Sequence, residues 1–264
     1  MTDNDIETAQ SEEVSRALHF EWLLPVLIKP RKTLVQILQK QNAVWLAPML
    51  VLTVLVLVAV LIAAPIRQAQ AQGQSGAVPP NFQYMTTEEQ AQFQQGMQVS
   101  SGPVFTSVLP AISALCGVWI PWVLLGSLLH LSLTLAGSRA NSTATFNLAA
   151  WAAVPTGLRA IVQAVFMLST HQLIASPGLS GFIAPNSGRL MLILSSVLAR
   201  VDIYFLWMVV LILIGVVPMT GIPRLKARLI SVFIMLLLLG LEALPSFVMG
   251  LLGNLGSIQP MFFF

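Results

Sequence analysis

Arg159, Glu242 and Asp202 are the residues whose types and positions carry the strongest chemical signal, because each lies inside or at the start of a long apolar run. An arginine or aspartate at the centre of a bilayer costs about 2.5–3.5 kcal/mol on insertion scales, so such groups face protein or water and take a partner. Counted along their runs, Arg159 and Glu242 both fall roughly 20 Å from the same membrane edge at 1.5 Å per helical residue. Equal depth permits an Arg159–Glu242 ion pair, with Asp202 as a second partner for Arg159. Three uses follow from the pattern. The charges order helix packing, or they line a pathway for a solute or ion, or they snorkel to the outer surface.

Other reactive constellations are weak. Ser127 and His130 stand one helical turn apart in "GSLLH". Neighbours on one helix rarely bring a nucleophile and its base together beside an oxyanion hole. The histidines His19, His130 and His171 are scattered, with no carboxylate or cysteine at ligand spacing, so no metal site is expected. No glycine-rich phosphate loop ends in Lys-Ser or Lys-Thr, which argues against a nucleotide-driven pump. The expectation is a protein that is not an enzyme and carries no cofactor. Cys116 is the single cysteine and cannot form an intramolecular disulfide.

The elements that position these residues are membrane spans. Of 264 residues, 56% are hydrophobic and 9% charged, against roughly 25% charged in a soluble domain. Five apolar runs, at about 44–66, 104–136, 144–168, 201–219 and 229–252, each reach the length of about 20 residues needed to cross the hydrocarbon core. Barrel strands would be shorter and would alternate polar with apolar, so the fold class is all-α, a polytopic membrane protein with five transmembrane helices. The second run carries Pro103, Pro110 and Pro121 and exceeds a simple perpendicular span. It therefore predicts a tilt, a kink or an interfacial entry near Pro110.

Basic residues set the orientation. The N-terminal segment and the loops after spans two and four hold nine lysines and arginines, and the other side holds Arg67, Arg189 and Arg200. This predicts a cytoplasmic N-terminus and an external C-terminus. The basic residues flank apolar runs without interleaved aromatics, so nucleic acid is not an expected partner. Ala69-Gln70-Ala71 resembles a leader cleavage site, but the apolar run before it exceeds the usual leader length. The sequon Asn141-Ser142-Thr143 falls in a loop expected to be cytoplasmic and should be silent.

Outside the spans, residues 1–21 read as a polar cytoplasmic tail and 22–43 as an interfacial amphipathic segment. Pro30 opens a helix there. Leu34, Val35, Ile37 and Leu38 share one face, and Arg31, Lys32 and Lys40 lie toward anionic headgroups. Phe20 and Trp22 are candidate anchors upstream. Residues 44–252 form the five-span domain and 253–264 an external tail. Thr86 followed by Glu89 predicts a capping box opening a helix through about Met97, with Phe93 and Met97 against the membrane surface. Ala149, Ala153 and Gly157 form a small-residue stripe for close helix packing. Gly250, Gly253 and Gly256 form another.

Several segments together resemble the Yip family of five-span membrane proteins, closest to its bacterial branch. They are "KPRKTLVQIL", "AGSRANSTATFNLAAWAAVP", "SPGLSGF" and "VDIYFLWMVVLILIGVVPMTGIPRLKA", spread over roughly residues 25–250. The resemblance implies a membrane-resident, non-enzymatic protein of the bacterial cytoplasmic membrane. Eukaryotic relatives associate with Rab-type GTPases. Here their Asp-Leu-Tyr-Gly-Pro motif is absent, with "NAVWLAP" near its place, and alanines before Trp151 replace a Gly-Tyr pair. That departure weakens the case for small-GTPase binding. The partners expected are membrane lipid and other membrane proteins, or a second copy of the chain. The expected role is a scaffold or accessory protein, the alternative a small-solute or ion transporter using Arg159, Glu242 and Asp202. No inverted repeat is evident for that alternative, and five spans do not divide equally.

Overall fold

A computed structural model describes residues 18–40, 42–75, 82–183 and 188–255. The described residues are overwhelmingly helical. Helix α1 is Leu23–Ile28, α2 Pro30–Gln39, α3 Leu46–Ser75, α4 Thr87–Ser100, α5 Leu109–Leu135 and α6 Ser142–Ala152. Helix α7 is Val154–Thr170, α8 Gly188–Leu198, α9 Ile203–Thr220 and α10 Arg224–Leu255. Most of the tail 1–21, most of the tail 253–264, and Gly256 lie outside the described residues.

Among the described residues, five stretches are long and apolar enough to cross a membrane: Leu46–Gly73, Val104–Leu135, Ser142–Thr170, Ile203–Thr220 and Arg224–Pro245. The protein is a multi-pass membrane protein with an all-helical fold. The first helix runs on through Ala69-Gln70-Ala71 to Ser75 with Pro65 inside it. The second begins with π-helical turns at Val104–Val108 that run directly into α5, with Pro110 at the junction. The third is interrupted at Ala153, beside Pro155, and so divides into α6 and α7. The fifth starts at Arg224, five residues before its apolar run, because the basic "RLKAR" segment is already helical.

The chain divides into two compact units. One comprises Met1–Leu52, Val118–Arg159 and Ser176–Phe264. Its core joins Leu34 and Ile37 of α2, Leu125, Leu129 and Leu133 of α5, Leu148 and Trp151 of α6, and Leu211, Ile212 and Val216 of α9. Helix α2 packs against α9 and α6, and α9 packs against α10. The face of α2 carrying Leu34 and Ile37 is thus turned into protein, fully buried, while Arg31, Lys32 and Lys40 stay exposed. The sequence reads this stretch as an interfacial amphipathic helix. The structure uses that face for the core, because α9 offers Leu211, Ile212 and Val216 as a better-packed apolar surface. Gly215 permits the close approach of α9 to α6, since a Cβ there would fall 2.2 Å from Leu148 Cδ1.

The other unit comprises Thr53–Gly117 and Ala160–Ala175. In it Thr86 caps α4 through the Glu89 N–H, and the Glu89 carboxylate accepts the Thr86 N–H at 2.8 Å, which completes the capping box. Phe93 does not lie bare: its ring meets Phe82 at a centroid distance of 5.6 Å. Arg67 Nη1 donates to the Thr106 carbonyl at 3.4 Å.

Candidate functional site

Two groups of polar contacts inside the apolar body set what this protein has to work with. The first is built on α6. Asn141 of the sequon caps this helix, its side chain accepting the Thr143 N–H. Asn147 and Trp151 follow one turn apart on the same helix, both with no exposed surface. Asn147 Oδ1 accepts the Val44 N–H at 3.0 Å, and its Nδ2 donates to the Asn42 carbonyl at 3.0 Å. The Trp151 indole N–H donates to the Val44 carbonyl at 3.1 Å. Two side chains therefore satisfy the backbone of Asn42 and Val44, just before α3 begins, where neither a helix nor water is available to do it for Val44.

Aromatic rings extend this clamp. Trp45 packs on Trp122 at 4.6 Å, Trp122 on Phe146 at 5.4 Å and Trp22 on Trp151 at 5.8 Å. Trp122 also donates its indole N–H to the Phe146 carbonyl at 3.1 Å. Asn42, Val44 and Trp45 of "NAVWLAP" are thereby tied to side chains of α5 and α6.

The second group holds the charges. Arg159 Nη1 meets Asp202 Oδ2 at 3.0 Å, and Arg200 Nη1 meets Glu242 Oε2 at 3.2 Å. Arg200 Nη2 also donates to the Glu242 carbonyl at 3.2 Å. The direct Arg159–Glu242 pair permitted by equal depth is replaced by these two pairs, Arg159 taking its second expected partner, Asp202. The turn before α9 carries Arg200 two residues from Asp202, so Glu242 meets a cation there and Arg159 is left to Asp202. Asp202 has a second task there, since its Oδ1 accepts the Phe205 N–H at 2.8 Å as the N-cap of α9.

Gly178 holds that turn in place. It adopts φ +58°, and a Cβ on it would fall 2.7–2.8 Å from the carbonyl oxygens of Leu198, Ala199 and Val201. Only glycine fits so close to backbone oxygens at that dihedral. Leu179 N–H then donates to the Val201 carbonyl at 3.0 Å. The "SPGLSGF" segment is in this way a brace under the residues that bear Arg200 and Asp202.

The remaining candidates are placed as follows. Ser127 is exposed, whereas His130 Nδ1 is buried without a hydrogen-bond partner among the described residues. Ala149 is in the core, Gly157 is buried, and Ala153 sits partly buried at the break between α6 and α7 against Met49, Leu52 and Ala150. Sequence reasoning missed Asn147, Trp151 and Arg200. An asparagine in an apolar run was itself a usable signal, because an unsatisfied amide there is costly.

No curated protein and no solved structure matches the chain significantly. The family model described as the Yip1 domain matches residues 24–244, a range that includes the Val44 clamp and both ion pairs, and the chain belongs to that family of membrane proteins.

Proposed function

We propose that this Yip1-domain protein is an integral membrane scaffold or accessory protein, acting through partner membrane proteins and lipid without catalysing a reaction. The observation that carries the reading is the matching of charges. Arg159, Asp202 and Glu242 each have an opposite charge at hydrogen-bond distance. Paired charges of this kind hold helices in a fixed arrangement. Wide exposed apolar surfaces on the spans, such as Val54, Val58 and Leu61 on α3, suit contact with lipid or with other membrane helices. The N-terminus lies in the cytoplasm and the C-terminus outside, in a bacterial cytoplasmic membrane. The basic residues and the absent Asp-Leu-Tyr-Gly-Pro motif favour lipid and membrane proteins over a small GTPase as partners.

The test is purification of the full chain in a mild detergent after cross-linking in its own membrane. Co-purification of a membrane protein, or of a second copy, is the expected result. A lone monomer at every cross-linker concentration would overturn the reading.

One observation favours a second reading, a small-solute or ion transporter using the same charges. The paired side chains keep part of their surface open, 31% for Arg159, 16% for Asp202, 38% for Arg200 and 31% for Glu242. Proteoliposomes loaded with a pH-sensitive dye and exposed to proton or potassium gradients separate the two. Flux that disappears in Arg159→Ala supports transport, and no flux above protein-free vesicles supports the scaffold.

A further inference from the structure

We propose that the recess between the end of α2, the turn before α6 and the end of α9 binds a phosphate-bearing anion, either the headgroup of an anionic lipid or a soluble phosphate ester. The recess is a cavity of about 360 Å³, near the lower end of the range for small-molecule sites. Its lining is divided. Lys40, Arg139 and Gln39 supply donors, while Leu38, Pro218 and Met219 supply apolar contact. Lys40 comes from the end of α2 and Arg139 from the link between α5 and α6, so distant parts of the chain converge two cations on one space.

Among the described residues no acidic side chain lines the recess, and neither cation is in an ion pair. Two positive charges facing one cavity repel each other until an anion occupies it. A guanidinium and an ammonium on one recess are suited to a phosphate, the first as a planar fork and the second as a point charge. The end of α6 is not the source of the binding, since Asn141 already takes the Thr143 N–H. A third cation adds to the local potential, with Lys226 fixed nearby by donating to the Ala136 carbonyl at 2.8 Å.

Location favours the same ligand class. Span two ends at Leu135, span three begins at Ser142 and span four ends at Thr220, so the recess lies where three spans meet one membrane edge. Headgroup phosphates lie at that depth, with acyl chains beside them. The apolar half of the lining suits the glycerol and first methylenes of a lipid. This site rests on the membrane reading given above and is independent of any protein partner.

The experiment uses the delipidated full chain in detergent, with retained ligand read by native mass spectrometry. The probes are phosphatidylglycerol, phosphatidylcholine and glycerol 3-phosphate. Phosphatidylglycerol should be retained over phosphatidylcholine. Lys40→Ala and Arg139→Ala should each weaken retention about fivefold, as expected for roughly 1 kcal/mol per basic residue at a membrane surface. Arg31→Ala and Lys32→Ala, exposed on the same helix but outside the cavity, should weaken it less. The charge-keeping variants Lys40→Arg and Arg139→Lys should retain binding, which separates a lost site from a misfolded one. Binding of glycerol 3-phosphate that is equally sensitive to Lys40 and Arg139 also supports the site and identifies a soluble source. Equal losses in both pairs of alanine variants, or no loss in either, would overturn it. Retained lipid in a protein that captures no partner would leave this site standing while the scaffold reading fails.

Discussion

Asn147 stands 103 residues beyond Val44 in the chain, yet its side-chain oxygen accepts the Val44 N–H at 3.0 Å with no solvent reaching either residue beyond a trace. The same asparagine holds the Asn42 carbonyl, and Trp151 one turn later holds the Val44 carbonyl. The entry to the first span is therefore fixed by the third.

Asn147→Leu keeps the volume and removes both hydrogen bonds. The Val44 N–H is then buried without a partner, so the variant should lose about 1–3 kcal/mol of stability. Asn42 is exposed and its carbonyl can turn to water, so it adds little. Trp151→Phe should cost a similar amount through the Val44 carbonyl. Unfolding in detergent titrated with dodecyl sulfate measures both, and wild-type stability in both variants would show that the clamp carries no energy.

Gly178→Ala tests the brace under Arg200 and Asp202. Its Cβ would meet three backbone oxygens at 2.7–2.8 Å, and backbone cannot rotate away as a flexible side chain can. The left-handed dihedral adds roughly 1–2 kcal/mol for any residue with a Cβ. A loss of at least about 2 kcal/mol is expected, together with faster hydrogen exchange over residues 198–206. Gly181→Ala is the control, because its Cβ would meet only Ser176 at an ordinary 3.6 Å.

The capping box gives a pH dependence. The Thr86 N–H, and then its hydroxyl, donate to the Glu89 carboxylate and hold its pKa below the ordinary value. A depressed folded pKa means the stabilisation is present above the unfolded value and is lost as pH falls through the folded one. The first turn of α4 should therefore exchange its amide hydrogens faster as the medium becomes acidic, after correction for intrinsic rates. Glu89→Gln should remove this dependence while leaving a weaker hydrogen bond.

Much of this architecture is readable from residue order. The five runs needed only length and apolarity, and Pro30 and Thr86 with Glu89 marked local boundaries through their own backbone chemistry, whereas the break at Ala153 was not foreseen. The charge pairing was only partly readable: Asp202 was open as a partner for Arg159, but Glu242 turns to Arg200, which the sequence counts only among the flanking charges. Arg200 itself looked like a loop charge, since nothing in its neighbourhood announces a partner 42 residues away. The clamp was hidden for another reason: its acceptors and donors at Asn42 and Val44 are backbone atoms, which every residue carries.

Asp202 carries two functions that substitution can separate. Asp202→Asn keeps an oxygen for the Phe205 N–H and removes the charge facing Arg159, whereas Asp202→Ala removes both. Alanine should cost about 0.5–2 kcal/mol more than asparagine, the usual value of an N-cap. Equal effects would mean that the cap contributes nothing here.

The central claim is that the charges in the spans are structural pairs, and a double-mutant cycle on Glu242 tests it most directly. Arg200→Ala, Glu242→Ala and their combination form one cycle, and Arg159→Ala with Glu242→Ala forms the comparison. Stability in detergent should show coupling of about 0.5–3 kcal/mol for Arg200–Glu242 and a smaller value for Arg159–Glu242. Additivity within about 0.5 kcal/mol in the Arg200–Glu242 cycle would contradict the account, because charges that do not stabilise one another in the fold have no structural reason to be there.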